Sequence, residues 1–286
     1  DLTAWTVCLH NSYLAARHPH LAERNAFGDS LHWSLCPAEE AVQAYVLALC
    51  TDLARNYGIR RLELESCGFG GYGHAHYHPK DGVPLGALGS YLLGLCFSPA
   101  CVARARERGI DVDGLQAWVQ ARLEPALASG EPLAEDVAEA VAANPQLAAY
   151  QRLREQLVES LVAQVRQRAG VEVSVILMGD RWHTGATPAA MARAADLVEI
   201  LAYTPESRQV AAQVRGTVAA GVAASRLVLG LQCYPPCATR ASDLIAAADS
   251  GAQLGVSRFS FYNYGIAPPA CLRWVTATVD RLTASA

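Results

Sequence analysis

The chain has 286 residues, of which 52% are hydrophobic and 17% are charged, and its formal net charge is −4. This composition is typical of a folded chain with a large core and excludes an intrinsically disordered protein. The slightly acidic balance gives no electrostatic basis for binding nucleic acid or an anionic membrane surface, so we expect neither as a partner.

Six short apolar runs have the composition of strands. In chain order they cover 4–10, 60–66, 171–178, 197–203, 226–234 and 258–265. Apolar residues at helical spacing predict helices between and after them. These helices cover 37–58, 150–168, 188–196, 207–221, 241–254 and 269–282. Regular alternation of strand and helix predicts a parallel α/β sheet.

The segment from Gly68 to Asn144 interrupts this alternation, because it is too long for a loop between a strand and a helix. Helical patterns near 88–108, 112–127 and 133–143 predict a helical insertion after the "LELES" strand. No linker divides the chain, so we predict one domain over 1–286 with its insertion at 68–144.

Two parallel architectures fit these elements. A doubly wound sheet usually carries a glycine-rich phosphate-binding turn after its first strand, and "LHNSYLAARHP" has none. We therefore favour a (β/α)8 TIM-type barrel whose first strands are either absent from this sequence or hidden in its pattern. An incomplete barrel would expose strand edges, which favours self-association.

Nine cysteines are scattered through apolar segments. Their number is odd and no CxxC spacing occurs, which argues against a disulfide framework and a zinc knuckle. We interpret them as buried free thiols of a protein in a reducing, cytoplasmic compartment, and we expect no metal or cofactor. The long uncharged stretch 83–103 contains prolines and glycines, so it predicts a buried helix and not a membrane span.

The catalytic groups of a parallel barrel lie at the carboxyl ends of its strands. Polar and aromatic side chains occur at each predicted strand end. They are His10 and Asn11, Glu63 and Glu65, Asp180, Trp182 and His183, Tyr203, Gln232, and Tyr262 and Asn263. This concentration of carboxylates, imidazoles and rings predicts a binding site for a polar ligand.

The run "RRLELES" supplies two acids on one strand. Alternation places Glu63 and Glu65 on one face, and Leu62 and Leu64 on the other face, against helices. The glutamates then point into the barrel, where a buried carboxylate needs a partner or a function. Glu65 is nearer the strand end and is the better candidate for catalysis. The alternative is an edge strand whose glutamates face solvent.

The run "MGDRWHTG" supplies a further acid, Asp180, beside Trp182 and His183. Carboxylates from two strands, with aromatic rings around them, are typical of enzymes that cleave glycosidic bonds. One acid protonates the leaving oxygen, and the other attacks the anomeric carbon or activates water. The alternative for Asp180 is a helix N-cap or a turn residue.

His74, His76 and His78 alternate after the glycine-rich "GFGGYG". Three imidazoles could bind zinc, as in amidohydrolase barrels, but these follow a loop and are not held by a strand. We favour a loop that hydrogen-bonds sugar hydroxyls or closes over a ligand. His74 and His76 are accordingly predicted to bind substrate, and no metal ligands are assigned.

The stretch "SLCPAEEAVQAYVLALCTDLARNYGIRRLELES", with "WTVCLHNSYLAARHPH" before it and "FSFYNYG" near the end, resembles bacterial glycosidase-like proteins of the TIM-barrel glycoside hydrolase superfamily. The resemblance implies that the first strand here corresponds to the third of the barrel and the "LELES" strand to the fourth. It also implies that Glu65 stands where such families carry a catalytic or substrate-binding acid.

We therefore expect a glycoside hydrolase that acts on a carbohydrate. Glu65 would be nucleophile or base and Asp180 the general acid, or the two roles would be reversed. Two alternatives stay open. One is a metal-dependent hydrolase of the amidohydrolase type that uses His74, His76 and His78. The other is a non-catalytic barrel that binds carbohydrate.

Overall fold

The computed structural model of the protein describes residues 1–72 and 83–284. Its strands are β1 (Thr3–Val7), β2 (Ala22–Arg24), β3 (Ser30–Leu35), β4 (Arg61–Glu65), β5 (Glu172–Leu177), β6 (Leu197–Leu201), β7 (Leu227–Gln232) and β8 (Arg258–Tyr262). Its helices are α1 (Ser12–Arg17), α2 (Glu40–Asn56), α3 (Gly86–Leu93), α4 (Pro99–Arg106), α5 (Val112–Ser129), α6 (Val137–Ala143), α7 (Pro145–Ala169), α8 (Arg181–Thr184), α9 (Pro188–Ala194), α10 (Ser207–Ala219), α11 (Ala241–Ala252) and α12 (Pro269–Thr283).

The described residues form two compact units. Unit 1 comprises Asp1–Val171 and Gly179–Thr187, and unit 2 comprises Glu172–Met178 and Pro188–Ala286, as far as these ranges are described. Within 1–72 and 83–284, every helix is too short or too polar to cross a membrane.

In unit 1, β1 and β4 pair in parallel, with Val7 opposite Glu65. Leu62 and Leu64 are fully buried on the face of β4 that packs towards α2. Glu63 and Glu65 lie on the opposite face and are partly exposed. The alternation predicted for this strand is therefore observed, since successive side chains of a strand point to opposite faces.

Unit 1 also contains an antiparallel hairpin of β2 and β3 that the sequence pattern did not predict. Its turn is held by the side chain of Asn25, which accepts from the backbone N–H groups of Phe27 and Asp29. The pairing has an irregularity between Ala22 and Glu23. A strand of three residues with polar side chains carries no period-2 signal, which explains the omission.

The described part of the insertion is helical, as predicted. The single helix expected near 88–108 is two helices, α3 and α4. Ser98 caps α4 by accepting from the backbone N–H of Cys101, and Pro99 occupies the first helical position. A proline there cannot continue the preceding helix, because it has no N–H to donate.

Helix α7 begins five residues before its predicted start at Tyr150. The side chain of Asn144 accepts from the backbone N–H groups of Gln146 and Leu147, so that it caps the helix at Pro145. A side chain of this kind satisfies N–H groups that have no partner within the helix.

In unit 2, β5, β6, β7 and β8 pair in parallel in that order. Helix α11 packs against β7 and contacts α10 and α12. Strands β6 and β7 are buried along most of their length, which is why they read as continuous apolar runs.

All six predicted parallel strands are present in the described residues, two in unit 1 and four in unit 2. The parallel α/β class is confirmed. The number is below the eight strands of a complete (β/α)8 barrel, so the described chain is not a full barrel of that kind.

Candidate functional site

The predicted site residues divide between the two units. Unit 1 holds His10, Asn11, Glu63, Glu65, Asp180, Trp182 and His183. Unit 2 holds Tyr203, Gln232, Tyr262 and Asn263. His74, His76 and His78 lie outside the described residues.

Glu65 is the last residue of β4. The indole Nε1 of Trp5, on the paired strand β1, donates to its Oε2 over 2.5 Å. Trp5 lies opposite Glu63, so both glutamates share the face that carries this indole. The hydrogen bond fixes the orientation of the Glu65 carboxylate while its side chain stays partly exposed.

The backbone turns sharply after this acid. Ser66 has a φ of +53°, in the left-handed region that residues other than glycine rarely adopt. Its carbonyl accepts from the backbone N–H of Leu9 over 3.0 Å, which holds the turn against the end of β1. Strained residues of this kind cluster at functional sites, where surrounding contacts maintain them.

The glycine-rich run that follows this turn packs closely against the backbone of Thr184 and the side chain of Ser34. A Cβ at Gly68 would lie 2.3 Å from the carbonyl oxygen of Thr184, and a Cβ at Gly70 would lie 2.7 Å from Ser34 Oγ. The next residue, Phe69, donates its N–H to the same Thr184 carbonyl over 2.9 Å. Gly68 and Gly70 therefore stand where a side chain would meet the Thr184 carbonyl or Ser34, so that glycine permits close packing there.

Arg154 of α7 hydrogen-bonds the segment that carries Asp180 and His183. Arg154 is 1% exposed. Its Nη1 donates to the Trp182 carbonyl over 2.6 Å, and its Nη2 donates to the His183 carbonyl over 2.7 Å. The guanidinium carbon lies 4.4 Å from the centre of the Phe69 ring. One buried cation thus connects α7, the glycine-rich run and α8.

Sequence reasoning missed Arg154, because an arginine in an amphipathic helix usually lies on the solvated face. A signal was available in its spacing. Arg154 stands four residues after Tyr150 and four before Val158, and both of these side chains are buried. Residues at this spacing share one face of a helix.

Asp180 is the N-cap of α8, as the alternative interpretation allowed. Its Oδ1 accepts from the backbone N–H of His183 over 3.0 Å, and the ring Nδ1 of His183 lies 3.0 and 3.1 Å from the two carboxylate oxygens. Partial burial raises the pKa of Asp180, but the hydrogen bonds from His183 outweigh it and hold the pKa below its usual value. A carboxyl favoured in its ionised form is a poor proton donor.

Glu23 is a buried acid in the same unit that the sequence did not single out. Its Oε1 accepts from Ser34 Oγ and from the Gly70 N–H, each over 2.6 Å. Its Oε2 has no hydrogen-bond partner among the described residues. Burial, followed by the Cys96 thiol, raises the pKa of Glu23 to about 8. Glu23 is therefore protonated at neutral pH and anchors Gly70 to the hairpin.

His10 and Asn11 follow β1. Asn11 caps α1, since its Oδ1 accepts from the Leu14 N–H over 2.9 Å, and its backbone N–H donates to the Trp33 carbonyl. His10 is exposed, and its backbone pairs with that of Ser34 in an isolated antiparallel β-bridge. Of the two, His10 is the side chain that faces solvent, while Asn11 has a local structural role.

In unit 2, three partly exposed tyrosines stand at the carboxyl ends of three adjacent strands. The ring centres of Tyr203 and Tyr262 are 5.5 Å apart and the rings are stacked, and those of Tyr234 and Tyr262 are 6.5 Å apart. We call Tyr203, Tyr234 and Tyr262 the tyrosine cluster. Such rings offer broad apolar faces with hydroxyl groups at their edges, a chemistry suited to sugar rings.

The two predicted amides of unit 2 make local contacts. Gln232 Nε2 lies 3.4 and 3.3 Å from the carbonyl oxygens of Tyr234 and Pro235. Asn263 Oδ1 accepts from the Gly265 N–H over 2.7 Å. Both amides therefore hold turns next to the tyrosine cluster.

No protein-family model matches the chain, and no curated protein is similar enough in sequence to match. Among solved structures, the glycoside hydrolase domain of PgaB (BpsB) from Bordetella bronchiseptica is similar with a TM-score of 0.58 at 14% identity, over 98% of this chain and 74% of that chain. A beta-galactosidase from the psychrophilic Marinomonas ef1 is similar with a TM-score of 0.57 at 11% identity, over 95% of this chain and 47% of that chain. At these identities the likeness is one of fold, and both neighbours are glycoside hydrolases.

Proposed function

We propose that this protein is a glycoside hydrolase in which Glu65 is the reacting carboxylate. The observation that carries the proposal is the geometry at the end of β4, where the Trp5 indole orients the Glu65 carboxylate just before the strained Ser66. The fold of the chain, which two solved glycoside hydrolases share, supports the same activity.

Cleavage of a glycosidic bond needs a proton donor for the leaving oxygen as well as a carboxylate. The low pKa of Asp180 argues against its role as that donor. We assign proton transfer to His183, with Asp180 as the positioning residue that holds its Nδ1. The reacting form of His183 is the imidazolium, whose Nδ1 proton bonds Asp180 while its Nε2 proton passes to the leaving oxygen as the C–O bond breaks, which leaves a neutral imidazole. Glu65 takes a proton from water, whose hydroxyl bonds to the anomeric carbon.

The tyrosine cluster is proposed separately as a sugar-binding surface of unit 2. Its rings are stacked but partly exposed, so that a sugar ring can add to the stack without unfolding a core. This proposal specifies a carbohydrate ligand and leaves the linkage to experiment.

The test is hydrolysis of a panel of oligosaccharides and aryl glycosides by wild type, Glu65→Gln and Glu131→Gln. We expect Glu65→Gln to lower kcat by about 10²–10⁴-fold. Glu131→Gln is the control, because Glu131 is an exposed acid of the same unit with no role in the predicted site. Equal turnover in wild type and Glu65→Gln would refute the assignment.

A second candidate is a non-catalytic carbohydrate-binding protein. It is favoured by the engagement of both Asp180 oxygens with His183 and by the tyrosine cluster, which needs no reacting acid. This candidate predicts saccharide binding by calorimetry with no release of reducing ends. It also predicts that Glu65→Gln changes affinity and no rate.

A further inference from the structure

Three buried cysteines of unit 1 converge on one point. The sulfur atoms of Cys36, Cys96 and Cys101 all lie within 4.8 Å of one another. Cys36 Sγ is 3.5 Å from Cys101 Sγ and 3.8 Å from Cys96 Sγ. Each residue is at most 1% exposed, and none is in a disulfide. We call this group the cysteine triangle.

These spacings match one face of a metal-thiolate tetrahedron. A zinc ion bonded to sulfur at about 2.3 Å in tetrahedral geometry separates its sulfur ligands by about 3.8 Å. A disulfide would require an S–S distance of about 2.05 Å. Soft thiolate ligands select thiophilic cations such as zinc over magnesium or calcium.

We propose that Cys36, Cys96 and Cys101 bind one zinc ion as thiolates. Each sulfur gives up its proton on binding, so the ion replaces the thiol protons inside the core. The site is structural, because its ligands are buried and come from separate segments of unit 1. Cys36 precedes α2, Cys96 lies between α3 and α4, and Cys101 lies in the first turn of α4.

The surroundings of the cysteine triangle fit a metal site. The Tyr150 hydroxyl donates to the Cys96 carbonyl, and the Phe97 N–H donates to the Arg24 carbonyl over 2.6 Å. Hydrogen bonds of this kind orient metal ligands and tune their basicity.

Ser98 provides an oxygen at the same place. Its Oγ lies 3.2 Å from Cys36 Sγ, accepts from the Cys101 N–H and is fully buried. Within the described chain, no other His, Cys, Asp or Glu joins the triangle. We therefore assign the fourth position to the Ser98 hydroxyl, a weak ligand compared with a thiolate.

The sequence did not predict this site, because Cys36 is sixty residues from Cys96 and the three cysteines form no short metal-binding motif. Unit 1 also contains a matched control. Cys50 is equally buried, and Cys50, Cys8 and Cys67 do not form such a triangle among the described residues.

The first experiment measures zinc in full-length protein purified under reducing conditions and reconstituted with zinc. We expect about one zinc per chain, with X-ray absorption showing sulfur ligands at about 2.3 Å. Cys96→Ala and Cys101→Ala should lose the zinc, and Cys50→Ala should keep it. Absence of zinc, or coordination only by nitrogen and oxygen at about 2.0–2.2 Å, overturns the proposal. A Cys36–Cys101 disulfide in the reduced preparation overturns it as well.

A second experiment avoids loss of folding in the alanine variants. Ser98→Cys adds a thiolate at the assigned fourth position, so zinc release to a chelator should slow by tenfold or more relative to wild type. Ser98→Ala should release zinc faster than wild type. Release rates unaffected by both changes would overturn the placement of the ion beside Ser98. Neither experiment measures glycosidase activity. Failure of the zinc proposal would therefore not bear on the proposed glycoside hydrolase, and the reverse also holds.

Discussion

The guanidinium of Arg154 donates to the carbonyl oxygen of His183 over 2.7 Å, from a position that is almost fully buried. The orientation of a predicted site residue on α8 is therefore set by a residue of α7 that meets no solvent. The same guanidinium also bonds the Trp182 carbonyl. A change at Arg154 should affect the segment of Asp180 and His183 as a whole.

We expect Arg154→Met to lower the free energy of unfolding by about 2–4 kcal/mol, because the carbonyls of Trp182 and His183 lose the donors that the buried guanidinium supplies. Arg152→Met is the control, since Arg152 is exposed on the same helix. Urea denaturation measures both. Equal effects of the two substitutions would show that the buried hydrogen bonds contribute nothing specific.

Glu23 should make stability depend on pH. Its carboxyl ionises near 4.5 when exposed and with a pKa of about 8 in the folded chain. The folded state therefore holds the proton more tightly. The stability that Glu23 contributes is fully present below pH 4.5 and is lost as the pH rises through 8.

Glu23→Gln keeps a neutral group whose oxygen can accept from Ser34 and Gly70. We expect it to remove most of the decline in unfolding free energy between pH 5 and pH 8, a difference of up to about 4 kcal/mol. Thermal and urea denaturation over this range provide the measurement. The exposed Glu131→Gln is the control and should leave the slope unchanged; a wild-type slope in Glu23→Gln would contradict the prediction.

Asp180 carries a cap and a charge that two substitutions can separate. Asp180→Ala should destabilise the protein by about 1 kcal/mol through loss of the cap, and Asp180→Asn should retain most of that stability. The pKa of Asp180 is low, so its charge contributes above pH 3.8 and this contribution is lost as the pH falls through the folded pKa. The melting temperatures of wild type and Asp180→Asn, measured from pH 3 to pH 7, should therefore approach each other at the acid end. A difference between them that does not change with pH would refute the charge effect.

The indole of Trp5 should matter for turnover through its N–H group. Trp5→Phe keeps an aromatic ring and removes the donor to Glu65, so we expect kcat to fall about tenfold with little change in melting temperature. Trp118→Phe, on α5 of the same unit, controls for the loss of a tryptophan. If the two variants have equal kcat, the hydrogen bond does not orient a reacting carboxylate.

Tyr262 should be needed for saccharide binding if the tyrosine cluster is a sugar surface. Tyr262→Ala removes the ring that contacts both other members, and we expect the Kd for an oligosaccharide to rise about tenfold. Tyr264→Ala is the control, because Tyr264 is 81% exposed. Calorimetric titration of both variants would contradict the prediction if their affinities were the same.

Much of the fold could be predicted because it depends on local pattern. The apolar runs at 171–178 and 226–234 identified β5 and β7, and the alternation in "RLELE" correctly separated Leu62 and Leu64 from the two glutamates. The roles of Glu65 and of the other site residues stay predictions. The hairpin of β2 and β3 was missed, since β2 is only three residues long and carries no periodic signal.

By itself, the sequence determined the parallel strands, the helices between them and the faces of β4, because each follows from the spacing of apolar residues along a short segment. Only the tertiary structure decided that Glu23 is buried, that Arg154 bonds the carbonyls of Trp182 and His183, and that Cys36, Cys96 and Cys101 meet. Whereas the Asp180 cap is a local contact with His183 that the sequence pattern already allowed, these features depend on contacts between residues far apart in the chain. Such contacts decide burial and hydrogen-bond partners, and through them the charge state of each group.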